Sequence, residues 1–243
     1  MKEYIKKFLA EKGYNKLDLK AVLFDMDGVL YDSMKAHAKS WQQTMEENNL
    51  ASTPEEFFLH EGRVGSNTID LIIRRELGRP ATEEEKVEIY KRKSQLFTQY
   101  NNGEIIPCAD KVLDKVKEKG LLPVLVTGSG QKSLLDNLEE NFPGIFKADQ
   151  MVTAYDVTKG KPDPEPYLMG LQKGGDLKPD QAIVVENAPM GVQAAVAAGV
   201  FTIAVNTGPI PDEALWDAGA NIVLPSMEFL FLNLDNIFAE LGA

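Results

Sequence analysis

Apolar and polar residues follow two different rhythms along this chain. From residue 105 onward, short apolar runs alternate with segments of helical period. A helix over about 109–119, ended by Gly120, leads to the run LLPVLV (121–126). A helix over 132–141 then leads to DQMVTAYDV (149–157), and one over 166–174 to AIVVEN (182–187). Pro189 opens the next helix, where proline suits the first turn, and Gly199 closes it. The run FTIAVNT (201–207), a helix over 211–219, the run NIVLP (221–225) and a terminal helix complete the series. Strands alternating with helices predict a parallel sheet with crossover helices.

One earlier run belongs to the same pattern. Residues 21–24 and Met26 are apolar and predict a buried strand that delivers Asp25 and Asp27 at its C-terminal end. Between 34 and 104 the period is helical throughout: helices over about 34–48 and 67–77, then a long one to about 100. Thr82 and Glu85 form a capping box at the start of the last. Breaks fall at 49–54, 78–80 and 101–103. The expected architecture is therefore α/β, a Rossmann-like parallel sheet from residues 1–33 and 105–243, with an inserted all-helical unit at 34–104. Ahead of it, Tyr4, Ile5, Phe8 and Leu9 mark a short amphipathic helix over 2–12 that ends at Gly13, expected to pack on the core rather than lie on a membrane.

Composition narrows the function. Hydrophobic residues make up 44% and charged residues 26% of 243, ordinary values for a globular protein. No apolar run approaches the roughly 18 residues of a membrane span, and the N-terminal segment is too densely charged for a signal peptide. The single cysteine, Cys108, cannot form an intrachain disulfide, so a cytoplasmic setting is expected. A net charge of −11 argues against nonspecific nucleic-acid binding, which depends on Lys and Arg contacts to phosphates. A phosphate-handling site in such a chain must be locally positive, through a few basic residues or a bound cation.

Candidate chemistry gathers at the predicted strand ends. A carboxylate such as Asp25 or Asp27 can act there as nucleophile, metal ligand or general acid/base. Gly28, directly after Asp27, permits the tight turn by which the chain leaves the sheet with both carboxylates at its end. Residues 127–133, TGSGQKS, are not a P-loop, because Val126 and Gln131 stand where glycines are required. What remains is Thr127, Gly128 and Ser129 at a helix start, where a hydroxyl and backbone N–H groups can hold a phosphate oxygen. Lys161 sits in the proline-rich GKPDPEP loop, and Glu186-Asn187 end another strand; alone, the first reads as a surface lysine and the second as a helix cap.

Taken together and in this order, Asp25-Met26-Asp27-Gly28-Val29, Thr127, Lys161 and Glu186-Asn187 resemble the four motifs of the haloacid dehalogenase superfamily of phosphotransferases. The helical unit at 34–104 resembles that superfamily's small helical cap domain. His37 followed by Trp41, and the Lys91-Arg92-Lys93 run, resemble its β-phosphoglucomutase-like branch. The resemblance implies that Asp25 attacks phosphorus to form an aspartyl phosphate and that Asp27 serves as acid and base. It implies that Thr127 and Lys161 stabilise the transferring oxygens. It also implies Mg²⁺ held by Asp25, the Asp27 backbone and Asn187. Many relatives carry an acidic residue where this chain has Asn187, so Glu186 is expected to supply the missing charge, directly or through water.

The resemblance leaves two substrates in view. His37 and Lys93 match cap and hinge positions of β-phosphoglucomutase, although as sequence they also fit a packed helix residue and a solvated basic run. The cap loop His60-Glu61-Gly62-Arg63-Val64-Gly65 points elsewhere. Arg63 is displaced by two positions from the place of the mutase arginine, near Gly65. Glu61 would repel a phosphate unless it binds Mg²⁺ or its water. This loop is similar to that of an inorganic pyrophosphatase in the same branch. The expected substrate is thus a small phosphate compound, with pyrophosphate named first and a sugar-phosphate mutase second. A noncatalytic phosphate-binding module is third. No nucleic-acid or membrane partner is expected.

Overall fold

The computed structural model describes residues 1–130 and 132–242. The helix α1 (Lys2–Lys12) precedes strand β1 (Ala21–Phe24). Four helices follow: α2 (Met34–Glu47), α3 (Pro54–Leu59), α4 (Gly65–Leu77) and α5 (Glu83–Tyr100). Alternation then begins with α6 (Ala109–Glu118), β2 (Leu122–Val126), α7 (Lys132–Asp136), α8 (Leu138–Asn141) and β3 (Met151–Val152). It continues with α9 (Glu165–Lys173), β4 (Ala182–Glu186), α10 (Pro189–Ala197), β5 (Phe201–Val205), α11 (Asp212–Asp217), β6 (Ile222–Leu224) and α12 (Met227–Leu241).

The sheet runs β3-β2-β1-β4-β5-β6, with every neighbouring pair parallel. β1 lies at its centre, and Phe24 is level with Leu125 of β2 and Val185 of β4. Strand order reverses between β1 and β4, the kind of crevice where open α/β sheets bind ligands. Val22 and Phe24 face one apolar layer, shared with α1, α6 and α12. Ala21 and Leu23 face the other, under α9 and α10. Burial on both faces explains why the central strands read as unbroken apolar runs rather than as alternation.

The four helices α2–α5 bury a core of their own, in which Trp41, Met45, Phe57, Ile69, Ile72 and Ile89 meet. Phe97, near the end of α5, belongs to the main core instead. On α1, Ile5, Phe8 and Leu9 are buried, with Phe8 edge-on to Phe201 at 5.0 Å. Core packing thus accounts for the amphipathic stripe. Among the described residues, no helix is long and apolar enough to cross a membrane.

Three expectations are corrected. The run 149–157 yields only a two-residue edge strand, because Asp156 accepts hydrogen bonds from the Thr153 backbone and hydroxyl and turns the chain. The helix over 132–141 is split at Asn137, while Gln131 lies outside the described residues. The polar break at 49–54 holds a helix start: Thr53 accepts from Glu56 N–H and Pro54 opens α3.

Candidate active site

The chain leaves the sheet where the first motif requires it. Asp25 N–H still bonds to Val185 O at 3.0 Å, continuing the β1–β4 ladder. Gly28 then adopts φ +80°, and its N–H bonds to Tyr31 O at 2.8 Å. A Cβ on Gly28 would lie 2.0 Å from the Asn187 amide nitrogen, so both backbone geometry and space demand glycine. The resulting turn brings Asp25 and Asp27 to one cavity of about 60 Å³. Thr127, Gly128 and Ser129 from the core line it too, with His37, Glu61, Arg63 and Lys93 from the helical unit.

Behind Asp27 stands a buried relay. Asp27 Oδ1 accepts from Ser33 Oγ at 2.5 Å and lies 2.9 Å from His37 Nε2. Lys93 Nζ lies 2.6 Å from His37 Nδ1. An ammonium has only protons to give, so His37 Nδ1 accepts and Nε2 carries the proton donated to Asp27. Burial, then the nearby Lys93, pushes the imidazole below its usual range and keeps it neutral. Asp27 is held below the usual carboxylate range by His37 and Ser33, which outweigh its burial. Lys93 is only 2% exposed, so neither it nor His37 is a solvated surface group.

Lys93 therefore makes a stability prediction of definite sign. Burial lowers its ammonium to about 7, below the roughly 10.4 of an unfolded lysine. Between these values the unfolded chain binds more protons, so this group makes stability rise with pH. Urea midpoints compared at pH 7 and pH 9 are expected to rise less in Lys93→Met than in the native chain. Equal rises would show that Lys93 is not depressed.

Behind Asp25 stands a second buried cluster. Lys161 Nζ contacts Asp25 Oδ1, Glu186 Oε1 at 2.6 Å and Val126 O at 3.2 Å. Glu186 is engaged on both oxygens. Oε1 also accepts from Tyr167 Oη at 2.7 Å, and Oε2 from the N–H groups of Asn187 at 2.9 Å and Ala188 at 3.1 Å. Thr127 Oγ1 accepts from Ser129 N–H at 2.9 Å, which fixes the loop after β2.

From the helical unit, Glu61 Oε1 accepts from Asn187 Nδ2 at 2.9 Å. The Asn187 amide is thereby oriented, and its Oδ1 is buried with no hydrogen-bond partner. Arg63 Nε is likewise buried and unpartnered. The two halves meet closely: a Cβ on Gly128 would lie 2.3 Å from Gly62 O. Burial raises Asp25 to about 8, with Glu186 and Asp27 adding and Lys161 opposing. Burial and then Asp25 push Glu61 well above the usual carboxylate range. This surplus of negative charge, beside an orphaned amide oxygen, is the environment a hard cation relieves. Among the described residues no three His, Cys, Asp or Glu side chains form a metal cluster. A cation here would rest on mixed carboxylate, amide and backbone oxygens, a donor set that suits Mg²⁺.

Sequence reading did not find Ser33, Tyr90 or Tyr167. Ser33 reads as the N-cap of α2, yet it makes no side-chain cap because its hydroxyl serves Asp27. Tyr90 and Tyr167 carry no signal beyond that of aromatic helix residues.

A Rossmann-like core with carboxylates at the end of its central strand, covered by an inserted helical unit, defines a class of phosphoryl-transfer enzymes. The haloacid dehalogenase-like hydrolase family model matches residues 22–205, and the chain belongs to that family. A solved Bacteroides vulgatus protein, provisionally named a beta-phosphoglucomutase, is 53% identical, with a TM-score of 0.96 over 100% of this chain and 98% of its own. Hexitol phosphatase A of Escherichia coli (strain K12) is 31% identical over 77% of this chain and 83% of that protein. A Clostridium perfringens protein provisionally named pyrophosphatase PpaX is 29% identical over 82% of this chain and 90% of its own. The chain is a phosphatase or phosphotransferase of the β-phosphoglucomutase-like branch of that family.

Proposed function

We propose that this enzyme is a Mg²⁺-dependent hydrolase of a very small phosphate compound, inorganic pyrophosphate first. The observation that carries this reading is the small size of the cavity, about 60 Å³, against roughly 300–1,000 Å³ for ordinary small-molecule clefts. Tyr90 walls it in. Its ring packs on Gly65 so tightly that a Cβ there would lie 2.3 Å away. The same ring also lines a second, mostly apolar cleft of about 360 Å³. Glu61, facing the site from the helical unit, suits a strongly chelating substrate better than a sugar. Residues 34–104 act as a cap that opens to admit substrate and closes to exclude water.

In the proposed reaction an Asp25 oxygen attacks phosphorus in line, and the bond from phosphorus to the leaving oxygen breaks. Asp27, a carboxylate in the free enzyme, takes a proton from the water that attacks the aspartyl phosphate and, so protonated, gives it to the leaving oxygen of the next turnover. Phosphate leaves and Asp25 is regenerated. Lys161, the Thr127 hydroxyl and the Gly128 N–H hold the transferring oxygens, with Arg63 on the distal phosphate. His37 and Lys93 orient Asp27. Asp25, the Asp27 backbone and Asn187 Oδ1 would hold Mg²⁺, with Glu61 beside it, and the ion would neutralise charge on the phosphates.

A second reading, a sugar-phosphate mutase, draws on the Lys93–His37–Asp27 relay and on the provisional name of the Bacteroides vulgatus protein. Mg²⁺-dependent phosphate release separates the two. Pyrophosphate is expected to be cleaved faster than β-glucose 1-phosphate or hexitol phosphates. Glu61→Ala is expected to lower kcat/KM for pyrophosphate about 100-fold, roughly 2.7 kcal/mol. If pyrophosphate is untouched and glucose 1-phosphate becomes glucose 6-phosphate without free phosphate, the mutase reading replaces this one.

A further inference from the structure

Lys161 is held from behind by a residue outside the four motifs. Tyr167, on α9, is fully buried. Its hydroxyl lies 2.7 Å from Glu186 Oε1, and its ring centroid 5.1 Å from Lys161 Nζ. A buried hydroxyl is costly without a partner, and phenylalanine would fill the same space. The hydroxyl therefore marks a specific contact, and that contact falls on the carboxylate that grips Lys161.

The ammonium of Lys161 has three protons, and its acceptors are Asp25 Oδ1, Glu186 Oε1 and Val126 O. To reach an oxygen of the reacting phosphoryl group, Lys161 must loosen one of these bonds. How firmly Glu186 holds it then decides how readily it turns. A carboxylate oxygen that accepts from a second donor pulls less on the first, and Tyr167 is that second donor.

We propose that Tyr167 is a positioning residue for phosphoryl transfer. By donating to Glu186 Oε1 it shares that oxygen with Lys161, and its ring face steadies the ammonium between Asp25 and the phosphoryl group. The inference rests on the reading of Asp25 as nucleophile and is independent of which phosphate compound is the substrate.

The test is Tyr167→Phe, assayed with pyrophosphate and with p-nitrophenyl phosphate, which serves should pyrophosphate fail. Turnover is expected to fall about tenfold, with KM within about threefold and the melting temperature within a few degrees. Combined with Glu186→Gln, the substitution is expected to cost little more, because the shared carboxylate is gone. The ¹⁵N resonance of the Lys161 ammonium, measured without Mg²⁺ or substrate, is expected to shift in Tyr167→Phe. Native turnover with an unshifted resonance would overturn the proposal, as would losses that simply add in the double variant. If Tyr167→Phe does not fold, 3-fluorotyrosine at 167 changes donor strength at nearly constant volume. An unaltered rate and an unaltered Lys161 signal would then count against it.

Discussion

Asp25→Asn is expected to abolish turnover, by at least about 10⁴-fold, as loss of a nucleophile does elsewhere, while leaving the fold intact. An amide nitrogen or oxygen at this place cannot form the acyl phosphate, and no other carboxylate stands in its position at the end of β1. Stability should change little. Burial raises Asp25 to about 8, so without a cation its carboxyl already inclines to the neutral form at pH 7. Asparagine copies that form in shape and charge. Lys161 keeps Glu186 and Val126 O as acceptors. Phosphate release and calorimetric melting without Mg²⁺ check both halves. A native rate would end the nucleophile assignment, and a collapsed melting temperature would end the charge argument.

Lys161→Met is expected to damage both activity and stability. Burial opposes the Lys161 ammonium, but Asp25 and Glu186 outweigh it and hold its pKa above the ordinary lysine value. A raised folded pKa means stabilisation that is fully present below the unfolded value and lost only as pH climbs through the higher one. At pH 7 the whole contribution is in force. Removing the cation leaves the Glu186 carboxylate without its ion-pair partner in a dry interior, a change worth about 3–5 kcal/mol. Proton uptake by Asp25 offsets part of this. A drop of roughly 6–15 °C in melting temperature is expected for a chain of this size, and a rate loss of about 10³-fold for the missing oxygen-stabilising donor. Lys93, equally buried, is depressed rather than raised. Lys93→Met should therefore melt no lower than the native enzyme. Should both variants fall alike, the contrast between the two lysines would be wrong.

Much of this arrangement was legible because each strand-end residue carries its own local mark. Asp25 follows an apolar run, Thr127 ends another among small residues, and Glu186 closes a third. Their level registry across β2-β1-β4 then brings them together. Lys161 was legible only through the motif set, since nothing local distinguishes it from a surface lysine. Its partner Asp25 lies 136 residues away. Side-chain pairings of that kind leave no periodic trace, which is why Ser33 and Tyr167 escaped notice. The edge strand at Met151–Val152 was overestimated for a related reason: apolar content promised nine residues, and one Asp156 side chain ended it after two.

The meeting of Gly62 and Gly128 has a bearing on how the enzyme evolves new substrates. At that point the neighbour of position 128 is the Gly62 peptide itself, not a side chain. The spacing there is set by peptide thickness, and a single methyl group at position 128 would act as a doorstop. Drift at that position would hold the cap ajar and enlarge the site without altering any residue that performs the chemistry. A lineage could thus pass from tiny substrates to bulkier ones through one small wedge, and return by losing it.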